Sequence, residues 1–378
     1  MSDQDLLYTM ALTMALRQQS KHQRTLLQTL GSATAVYENR RDLGRMFEHF
    51  SEHIADALSG MEALLPRCED EIAYAHNHHI RILSIQDEAN YPARLAQCDD
   101  APLLLYTLGD MDLNAERIVS VVGTRRCTER GRALCEELVK ELAAQSPGTL
   151  IVSGQAYGID VAAHRAALAK GLPTVGVLAH GLDEIYPRTH RPVAIEMLKQ
   201  GGLVTEFMSH TAIDKLNFLQ RNRIVAGMAD AVVIVESPVK GGALNTARLA
   251  GDYHREVFAF PGRPTDTTSV GCNLLIRRNA AMLLSTATDL LTDMGWQQEE
   301  GAAFNEEAGQ QTLFPELSAE EQAAIEALAA ADGELATAEL ATALDMAIYK
   351  ITPLMLALEM KGVVKILPGG RCHLMIKV

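Results

Sequence analysis

The 378-residue sequence lacks several features that would assign it at once to a common class of protein. Its six cysteines include no C-x-x-C pair, which argues against a zinc site and against a disulfide framework. No apolar run is long enough to span a membrane, and the acidic start Met-Ser-Asp-Gln-Asp has no basic region typical of a signal peptide. These absences predict a cytoplasmic protein with reduced thiols, without a bound metal, a cofactor or a membrane-inserted segment.

Aromatic residues are few, at 5%, and the chain has no overall positive charge, since its net charge is −14. Taken over the whole chain, that charge argues against a nucleic-acid partner. The acidity is unevenly distributed, because residues 113–296 carry 20 Lys and Arg against 18 Asp and Glu, whereas residues 297–322 carry 7 acids and no Lys or Arg. Phosphate binding depends on the local potential, so the middle of the chain is the part that permits a DNA site.

Two glycine-bearing loops, 121–128 and 152–164, lack both the G-x-G-x-x-G and the G-x-x-x-x-G-K-[ST] pattern. Ordinary dinucleotide and nucleoside-triphosphate sites are therefore disfavoured. Each loop nevertheless follows an apolar run and opens a helical pattern, an arrangement that directs free backbone N–H groups at an anion. The sequence therefore predicts two anion-binding loops side by side at the carboxyl edge of one parallel sheet. The alternative is that each glycine serves only a tight turn.

Apolar runs alternate with helical patterns such as 129–145 and 161–170, which predicts the α/β class with a doubly wound, mostly parallel sheet. A further run, 103–108, is expected to add a strand or to lead into the sheet. The strand candidates are 118–122, 149–152, 174–178, 203–205, 231–235 and 257–260.

The flanks predict three further segments. Residues 1–88 have helical spacing of apolar residues, residues 89–296 contain the sheet, and residues 297–317 have the composition of an acidic linker. Residues 318–378 begin with a capping box and continue with helical patterns and a Gly-turn hairpin, which is the pattern of a winged helix. Its second helix offers few cations, so contact with a protein is at least as well supported as reading of duplex DNA.

Short motifs in the middle of the chain occur in an order that resembles the DNA-processing protein A family (DprA, also called Smf). The matching elements are Gly123-Thr124-Arg125, Ser153-Gly154 with Gly158-Ile159-Asp160 and His164, Arg221-Asn222-Arg223-Ile224, Gly241-Gly242-Ala243-Leu244 with Thr246-Ala247, Pro261-Gly262, and Ser269 with Gly271, Asn273, Leu275 and Ile276. The resemblance implies an extended Rossmann-like domain that binds single-stranded DNA and forms a homodimer. It further implies loading of a RecA-type recombinase onto DNA in natural transformation.

The same resemblance implies a small N-terminal domain of SAM or helix-hairpin-helix character and a C-terminal winged helix. The Gly-x-Gly hairpin expected in such an N-terminal domain is replaced here by Arg17-Gln-Gln-Ser-Lys21. The self-association surface of the family lies late in the Rossmann-like domain, where this chain has an apolar segment. The residues that we assign to dimerisation are Leu274, Leu275, Ile276 and Met282.

The residues expected to contact DNA come from the glycine loops, from the Arg-Asn-Arg motif and from nearby cations. Arg125 and Arg126 are both placed to meet a phosphate, and the resemblance selects Arg125. Phe218 is expected either to stack on a base or to pack in the core. The predicted set is Gly123, Thr124, Arg125, Ser153, Gly154, Gly158, Lys215, Phe218, Arg221, Asn222, Arg223, Lys240, Gly241, Gly242, Asn245 and Thr246.

The rival hypothesis is a nucleotide-processing enzyme of the phosphoribohydrolase type, since Asp160, His164 and Glu236 are possible acid–base groups. The catalytic Glu of such enzymes would fall at Arg248 in this sequence, which argues against hydrolysis. Asp160 is expected instead to bond backbone N–H groups of its loop or to pair with His164. The sequence therefore predicts no catalytic residues, and it predicts that Arg125 and Arg223 face solvent when DNA is absent.

Overall fold

A computed structural model describes residues 2–17, 19–43, 51–297, 318–331, 333–361, 363–367 and 371–374. The chain divides into two compact units, Met1–Gln298 and Glu299–Val378. The segment predicted to be an acidic linker, 297–317, lies outside the described residues from position 298 onward.

The first unit is built on a nine-stranded sheet in which seven neighbouring strands are parallel. The strand order is β1-β2-β6-β5-β4-β3-β7-β8-β9, and β1 and β2 add to one edge in antiparallel fashion. The mixed α/β class and the mostly parallel sheet predicted from the alternating pattern are confirmed. The strands are β1 (Arg81–Ser84), β2 (Leu104–Gly109), β3 (Ile118–Val122), β4 (Leu150–Ser153), β5 (Thr174–Val177), β6 (Gly201–Thr205), β7 (Ala231–Ile234), β8 (Glu256–Ala259) and β9 (Met282–Leu283).

Helices cover both faces of this sheet, and each face buries its own apolar cluster. Strand β3 is buried at all five positions, which fits a central parallel strand covered on both sides. The helices of this unit are α1 (Asp3–Ala15), α2 (Ser20–Leu30), α3 (Ala33–Glu38), α4 (Glu52–Ser59), α5 (Leu65–Asn77), α6 (Ala93–Ala96), α7 (Glu129–Gln145), α8 (Ile159–Lys170), α9 (Arg191–Gln200), α10 (Lys215–Gly227), α11 (Gly242–Asp252), α12 (Val270–Arg277) and α13 (Ala287–Asp293), with short 3-10 turns at Gly60–Leu64 and Arg188–His190.

The prediction that residues 1–88 are helical throughout is wrong at its end. Arg81–Ser84 form strand β1, which pairs with β2 in the large sheet. Leu103, Leu104 and Tyr106 also pack into the same core cluster as the N-terminal helices. The strand escapes detection because four residues directly after a helix are too few to display a period of two.

A buried polar network joins helix α5 to the loop after β6. The carboxylate of Glu71 accepts hydrogen bonds from the Arg67 guanidinium and the Ser209 backbone N–H, each at 2.8 Å, and from the Ser209 hydroxyl at 2.5 Å. Because Glu71 is almost fully buried, these donors offset the cost of removing its charge from water. The N-terminal helices are therefore attached to the sheet by polar as well as apolar contacts.

The second unit has its own apolar core, which includes Leu340, Ile351, Met355 and Leu358. The capping box predicted at Ser318 is confirmed, since its hydroxyl accepts from the Glu321 N–H and the Glu321 carboxylate accepts from the Ser318 N–H. The elements are α14 (Ala319–Ala330), β10 (Glu334–Ala336), α15 (Thr337–Ala343), α16 (Ile348–Met360), β11 (Val364–Leu367) and β12 (Arg371–Leu374), with the strands in the order β10-β12-β11.

Within the described ranges, no single helix is long and apolar enough to cross a membrane. The helices Thr337–Ala343 and Ile348–Glu359, which are bent by 106° relative to each other, reach that length and apolar composition only when taken together.

Candidate functional site

The sheet changes the direction of its connections next to β3. From β3 the chain proceeds through β4, β5 and β6 on one side, whereas β7 pairs on the other side and leads to β8 and β9. Loops that leave neighbouring strands in opposite directions open a crevice at the carboxyl ends of those strands, which is where ligands of open α/β sheets bind.

A cleft of about 400 Å³ occupies this position. It is bounded by the loops after β3, β4 and β7 and by one side of α10. Eleven of the residues predicted to contact DNA line it, so the separate motifs converge on one place. The eleven are Gly123, Thr124, Arg125, Gly154, Phe218, Arg221, Asn222, Lys240, Gly241, Gly242 and Thr246.

The five other predicted residues do not line the cleft. Ser153 is buried beneath it and donates its hydroxyl to the Val121 carbonyl at 2.6 Å. Lys215 is exposed at the first position of α10. The remaining three are Gly158, which caps the start of α8, Arg223 on α10 and Asn245 on α11.

Arg125, which is exposed, and Phe218, which is half-buried, contact each other at the cleft. The guanidinium carbon of Arg125 lies 4.8 Å from the Phe218 ring centroid, in a cation–π contact, and Tyr186 meets the same ring edge-on at 6.0 Å between centroids. Phe218 is thus held at the surface and is not part of the core. Arg126 also lines the cleft, so both alternatives for the phosphate-facing arginine are placed there.

Arg221 lines the cleft but is almost fully buried. Its guanidinium donates to the backbone carbonyls of Gly154 and Val177 at the ends of β4 and β5. Burial lowers the pKa of Arg221 to about 10, while the nearby carboxylate of Asp160 acts in the opposite direction. Its donors are therefore committed largely to fixing the ends of β4 and β5 next to the cleft.

The prediction that Arg223 faces solvent is wrong. Arg221 and Arg223 lie on helix α10 and diverge, as two residues separated by about 200° on a helix must. Arg223 is buried, donates to the Asp100 carbonyl at 2.5 Å and forms an ion pair with Glu206. Burial raises the pKa of Glu206, and the positive charge of Arg223 partly reverses that shift.

The three possible acid–base groups are engaged by the scaffold. Asp160 accepts from the Ala156 N–H at 3.3 Å, which supports the expected role in fixing its loop, and burial raises its pKa. Glu236 accepts from the Thr128 N–H at 2.8 Å and from the Thr128 hydroxyl at 3.0 Å, and so it braces the start of α7.

His164 is fully buried, and its Nδ1 lies 2.7 Å from the Thr174 hydroxyl oxygen. Burial, together with the positive charge of nearby groups, lowers its pKa to about 3. His164 is therefore neutral in the folded protein at ordinary pH. Arg248, at the position of the catalytic Glu in phosphoribohydrolases, forms an exposed ion pair with Asp252 at 2.5 Å. Asp160 and Glu236, the carboxylates near the cleft, already accept hydrogen bonds from the protein. The arrangement is therefore suited to binding a ligand.

Gly158 allows the first two loops to touch. It has a φ of +81°, and a Cβ atom there would lie 2.1 Å from the Thr124 carbonyl oxygen. The Ile159 N–H donates to that same carbonyl at 3.3 Å. A side chain at position 158 would therefore displace the loop that carries Arg125.

The residues assigned to dimerisation are half-buried. Leu275 and Ile276 pack partly against the core of one sheet face, and Met282 packs against the core of the other. Next to Met282, Leu283 is exposed on edge strand β9. Among the described residues, no group of three or more His, Cys, Asp or Glu could hold a metal ion, and all six cysteines are free thiols.

Two residues beside the cleft support it in ways that were not predicted, since Tyr186 was not singled out and Glu236 was considered only as a possible acid–base group. Tyr186 supports Phe218 from a loop far away in sequence, and Glu236 supports the first loop from the end of the β7 segment. Only the position of Glu236 directly after a strand offered a signal. The aromatic contact depends on the tertiary arrangement and leaves no local pattern.

A family model described as DNA recombination-mediator protein A matches residues 81–295. Protein Smf of Escherichia coli (strain K12) is 33% identical over 313 residues, a match that covers 79% of this chain and 78% of the relative. The putative DNA processing protein DprA of Mycobacterium tuberculosis is 34% identical over 282 residues, covering 71% and 70%.

Two solved structures are similar to the chain. The X-ray structure of DNA processing protein A from Streptococcus pneumoniae has a TM-score of 0.58 at 30% identity and covers 72% of this chain and 97% of its own. The structure of DNA processing protein A from Helicobacter pylori, which was solved to describe its single-stranded DNA binding mode, has a TM-score of 0.51 at 30% identity and covers 57% and 95%.

Proposed function

Because the chain belongs to the DNA recombination-mediator protein A family, we propose that it binds single-stranded DNA in the cleft and passes that DNA to a RecA-type recombinase. We place this activity in the cytoplasm, in the processing of DNA taken up during natural transformation. The proposed role is that of a non-enzymatic mediator.

One observation carries the proposal, namely the convergence of an exposed cation, an aromatic ring and a glycine turn in one open cleft. Arg125 and Lys240 supply exposed positive charge, and Gly241 caps the N-terminus of α11, where free N–H groups favour a phosphate. The half-exposed ring of Phe218 offers a face on which a base can stack. Single-strand binders combine these same features, and none of them depends on base sequence.

Titration of fluorescent single-stranded oligonucleotides at two salt concentrations tests the proposal. We expect binding that weakens steeply with salt, with a slope of about −0.7 in log K against log salt for each phosphate contacted. Turnover of ATP or AMP is measured in the same preparation. Nucleotide turnover without any DNA binding would overturn the proposal in favour of the enzyme hypothesis.

We also propose that the protein acts as a homodimer through the segment of α12 and β9 that contains Leu274, Leu275, Ile276 and Met282. Support comes from the half-exposed apolar side chains there and from the position of β9 as an edge strand among the described residues. Light scattering of the full chain should give a dimer at tens of micromolar, and Leu274→Asp should give a monomer. Ile195→Asp, at an exposed apolar residue of α9, is the matched control, and a wild-type monomer would refute the dimer.

Delivery to a recombinase rests on the family and is tested separately. RecA-type protein is added to oligonucleotide coated with a single-strand binding protein, and its DNA-dependent ATP hydrolysis is followed with and without this chain. Delivery is supported if ATP hydrolysis begins sooner with the wild-type chain and is not accelerated by the Arg125→Ala variant.

The second compact unit is proposed to be a winged helix that contacts protein more than duplex DNA. The three helices and three short strands among its described residues support that proposal, and Ile348, Tyr349 and Leu356 are exposed apolar side chains on α16. An exposed apolar surface with few cations favours a protein partner.

A further inference from the structure

We infer that the DNA strand continues out of the cleft into a second nucleotide-binding subsite between helices α7 and α8, which we call the α7–α8 groove. The groove has a volume of about 570 Å³ and is lined on its walls by Arg126, Arg132, Tyr157, Arg165 and His190. This inference rests on the proposed function, because it assigns the path of the same strand.

The groove is continuous with the cleft. Arg125 and Arg126 line both spaces, so the loop after β3 forms the ridge between them. From that ridge the groove follows α8 from Gly158 to Arg165, which at 1.5 Å per residue is a path of roughly 10 Å. A strand that binds Arg125 in the cleft therefore has a direct route into the groove.

The arginines of the groove are available to an anion. Arg126, Arg132 and Arg165 are exposed, and across the described part of the chain none of them has a carboxylate within ion-pair distance. Two exposed arginines outside the groove do have such a partner: Arg130, two residues before Arg132, pairs with Asp266 at 3.2 Å, and Arg248 pairs with Asp252 at 2.5 Å.

The groove contains one carboxylate, Glu136, against these several guanidinium groups. Arg132 also lies in the first turn of α7, where the helix dipole disfavours a cation unless an anion is bound. The charge distribution thus selects a polyanion such as a phosphate backbone.

Tyr157 provides the surface for a base. Its side chain is 46% exposed in a chain with few aromatic residues, and the His190 ring meets it edge-on at 5.0 Å between centroids. His190 is itself buried, and its Nδ1 lies 3.0 Å from the Gln155 carbonyl oxygen. A tyrosine held in place this way beside arginines has the composition of a single-strand stacking site.

The test compares oligonucleotides of increasing length, from about 4 to about 16 nucleotides, the range of single-strand site sizes. We first find the shortest oligonucleotide that the wild-type protein binds. The double variant Arg132→Ala/Arg165→Ala should bind that oligonucleotide as tightly as wild type does. For the longest oligonucleotide, the salt slope should fall by about 1.4, as expected when the protein neutralises two fewer phosphates of the strand. Arg81→Ala, an exposed arginine at the opposite edge of the sheet, is the control and should change neither value.

Substitutions of Tyr157 separate stacking from charge. Tyr157→Ala should weaken binding of the longest oligonucleotide by at least about fivefold, the lower end of the effect of losing one stacked base. Tyr157→Phe, which retains the ring, should stay within about twofold of wild type.

The outcomes distinguish this inference from the proposed function. Equal losses at every length, or no loss at any length, would overturn the groove as an extension while leaving DNA binding in the cleft intact. If wild type binds no oligonucleotide of any length, the proposed function fails and the groove assignment fails with it. If the double variant keeps full affinity for long oligonucleotides but loses binding of a poly-glutamate peptide, the groove is a site for an acidic protein segment instead.

Discussion

The loop after β3 and helix α10 both border the cleft, yet the two regions hold their arginines in different surroundings. Arg125 in the loop is exposed and rests on the Phe218 ring. Arg221 and Arg223 on the helix are buried and already bonded to carbonyls or to a carboxylate of the protein. An identical side chain thus offers binding energy to a ligand in one region and holds the fold together in the other.

This difference shows that a cationic motif has two separate uses. A buried guanidinium that loses its partner leaves an uncompensated charge in the interior, which costs far more than an exposed one. An exposed guanidinium contributes little to stability but can form charge-assisted hydrogen bonds with a ligand. Substitutions in the two regions should therefore have opposite effects on stability and on DNA binding.

Removal of the buried ion pair should have the largest effect. Arg223→Ala is expected to lower the free energy of unfolding by about 3–5 kcal/mol, because Glu206 is left buried without its cation. Urea denaturation followed by circular dichroism measures the change. The exposed pair provides the control, since Arg248→Ala should cost less than about 1 kcal/mol. Equal effects in the two variants would contradict the contrast.

The exposed arginine should show the opposite behaviour. Arg125→Ala is expected to weaken single-stranded DNA binding by about 1–3 kcal/mol, the loss of a hydrogen bond to a charged group, with almost no change in stability. Fluorescence anisotropy measures affinity and thermal unfolding measures stability, and Arg81→Ala serves as the control. Unchanged affinity would remove the loop after β3 from the proposed site.

Acidic pH should destabilise the first unit through its buried histidine His164. His164 has a folded pKa of about 3, against 6.5 when unfolded, so the unfolded chain binds more protons between these values. Stability is therefore complete above pH 6.5 and is lost as the pH falls, by about 2 kcal/mol between pH 7.5 and pH 5 from this residue. Urea unfolding at both pH values measures the loss.

His164→Asn should reduce that pH dependence, whatever its effect on stability at pH 7.5. His190, whose pKa is also lowered by burial, contributes in the same direction and is unchanged in the variant. An equally large pH dependence in the variant and in wild type would contradict the assignment to His164.

Deletion of the second compact unit should have the smallest effect on the cleft. We expect a chain that lacks residues 312–378 to bind single-stranded DNA within about threefold of wild type, because the cleft residues all belong to the first unit. Anisotropy with the same oligonucleotide measures the affinity. A loss above tenfold in a truncated protein that stays folded would place the second unit in the DNA site.

The parallel core of the fold was predictable because continuous apolar runs such as 118–122 and 231–235 indicate strands buried on both faces. Strands β1 and β9 were not, since four and two residues are too short to carry a period of their own. Their pairing depends on neighbouring strands that lie far away in sequence.

The cleft itself was predictable to the extent that its groups follow strands. The loops of Gly123 and Gly154 were expected to lie side by side because the carboxyl ends of parallel strands share one edge, and Gly241, which was predicted to contact DNA, lines the same cleft. The contact between Phe218 and Tyr186 was not, because it joins two segments that no sequence spacing relates.

From the sequence alone we could predict the order of the strands from β3 to β8 and of the helices between them, the family, and loops that line the cleft. These features depend on local patterns of apolar residues and glycines, which are readable one segment at a time. Tertiary packing determines which arginines face the open cleft and which support the fold. The second half of α10 is buried almost all round, so its arginines carry no amphipathic signal, and their partners, Gly154, Glu206 and Asp100, come from other segments. The surroundings of a long cationic side chain are a property of the packed molecule, because burial and counter-charge come from residues distant in the chain.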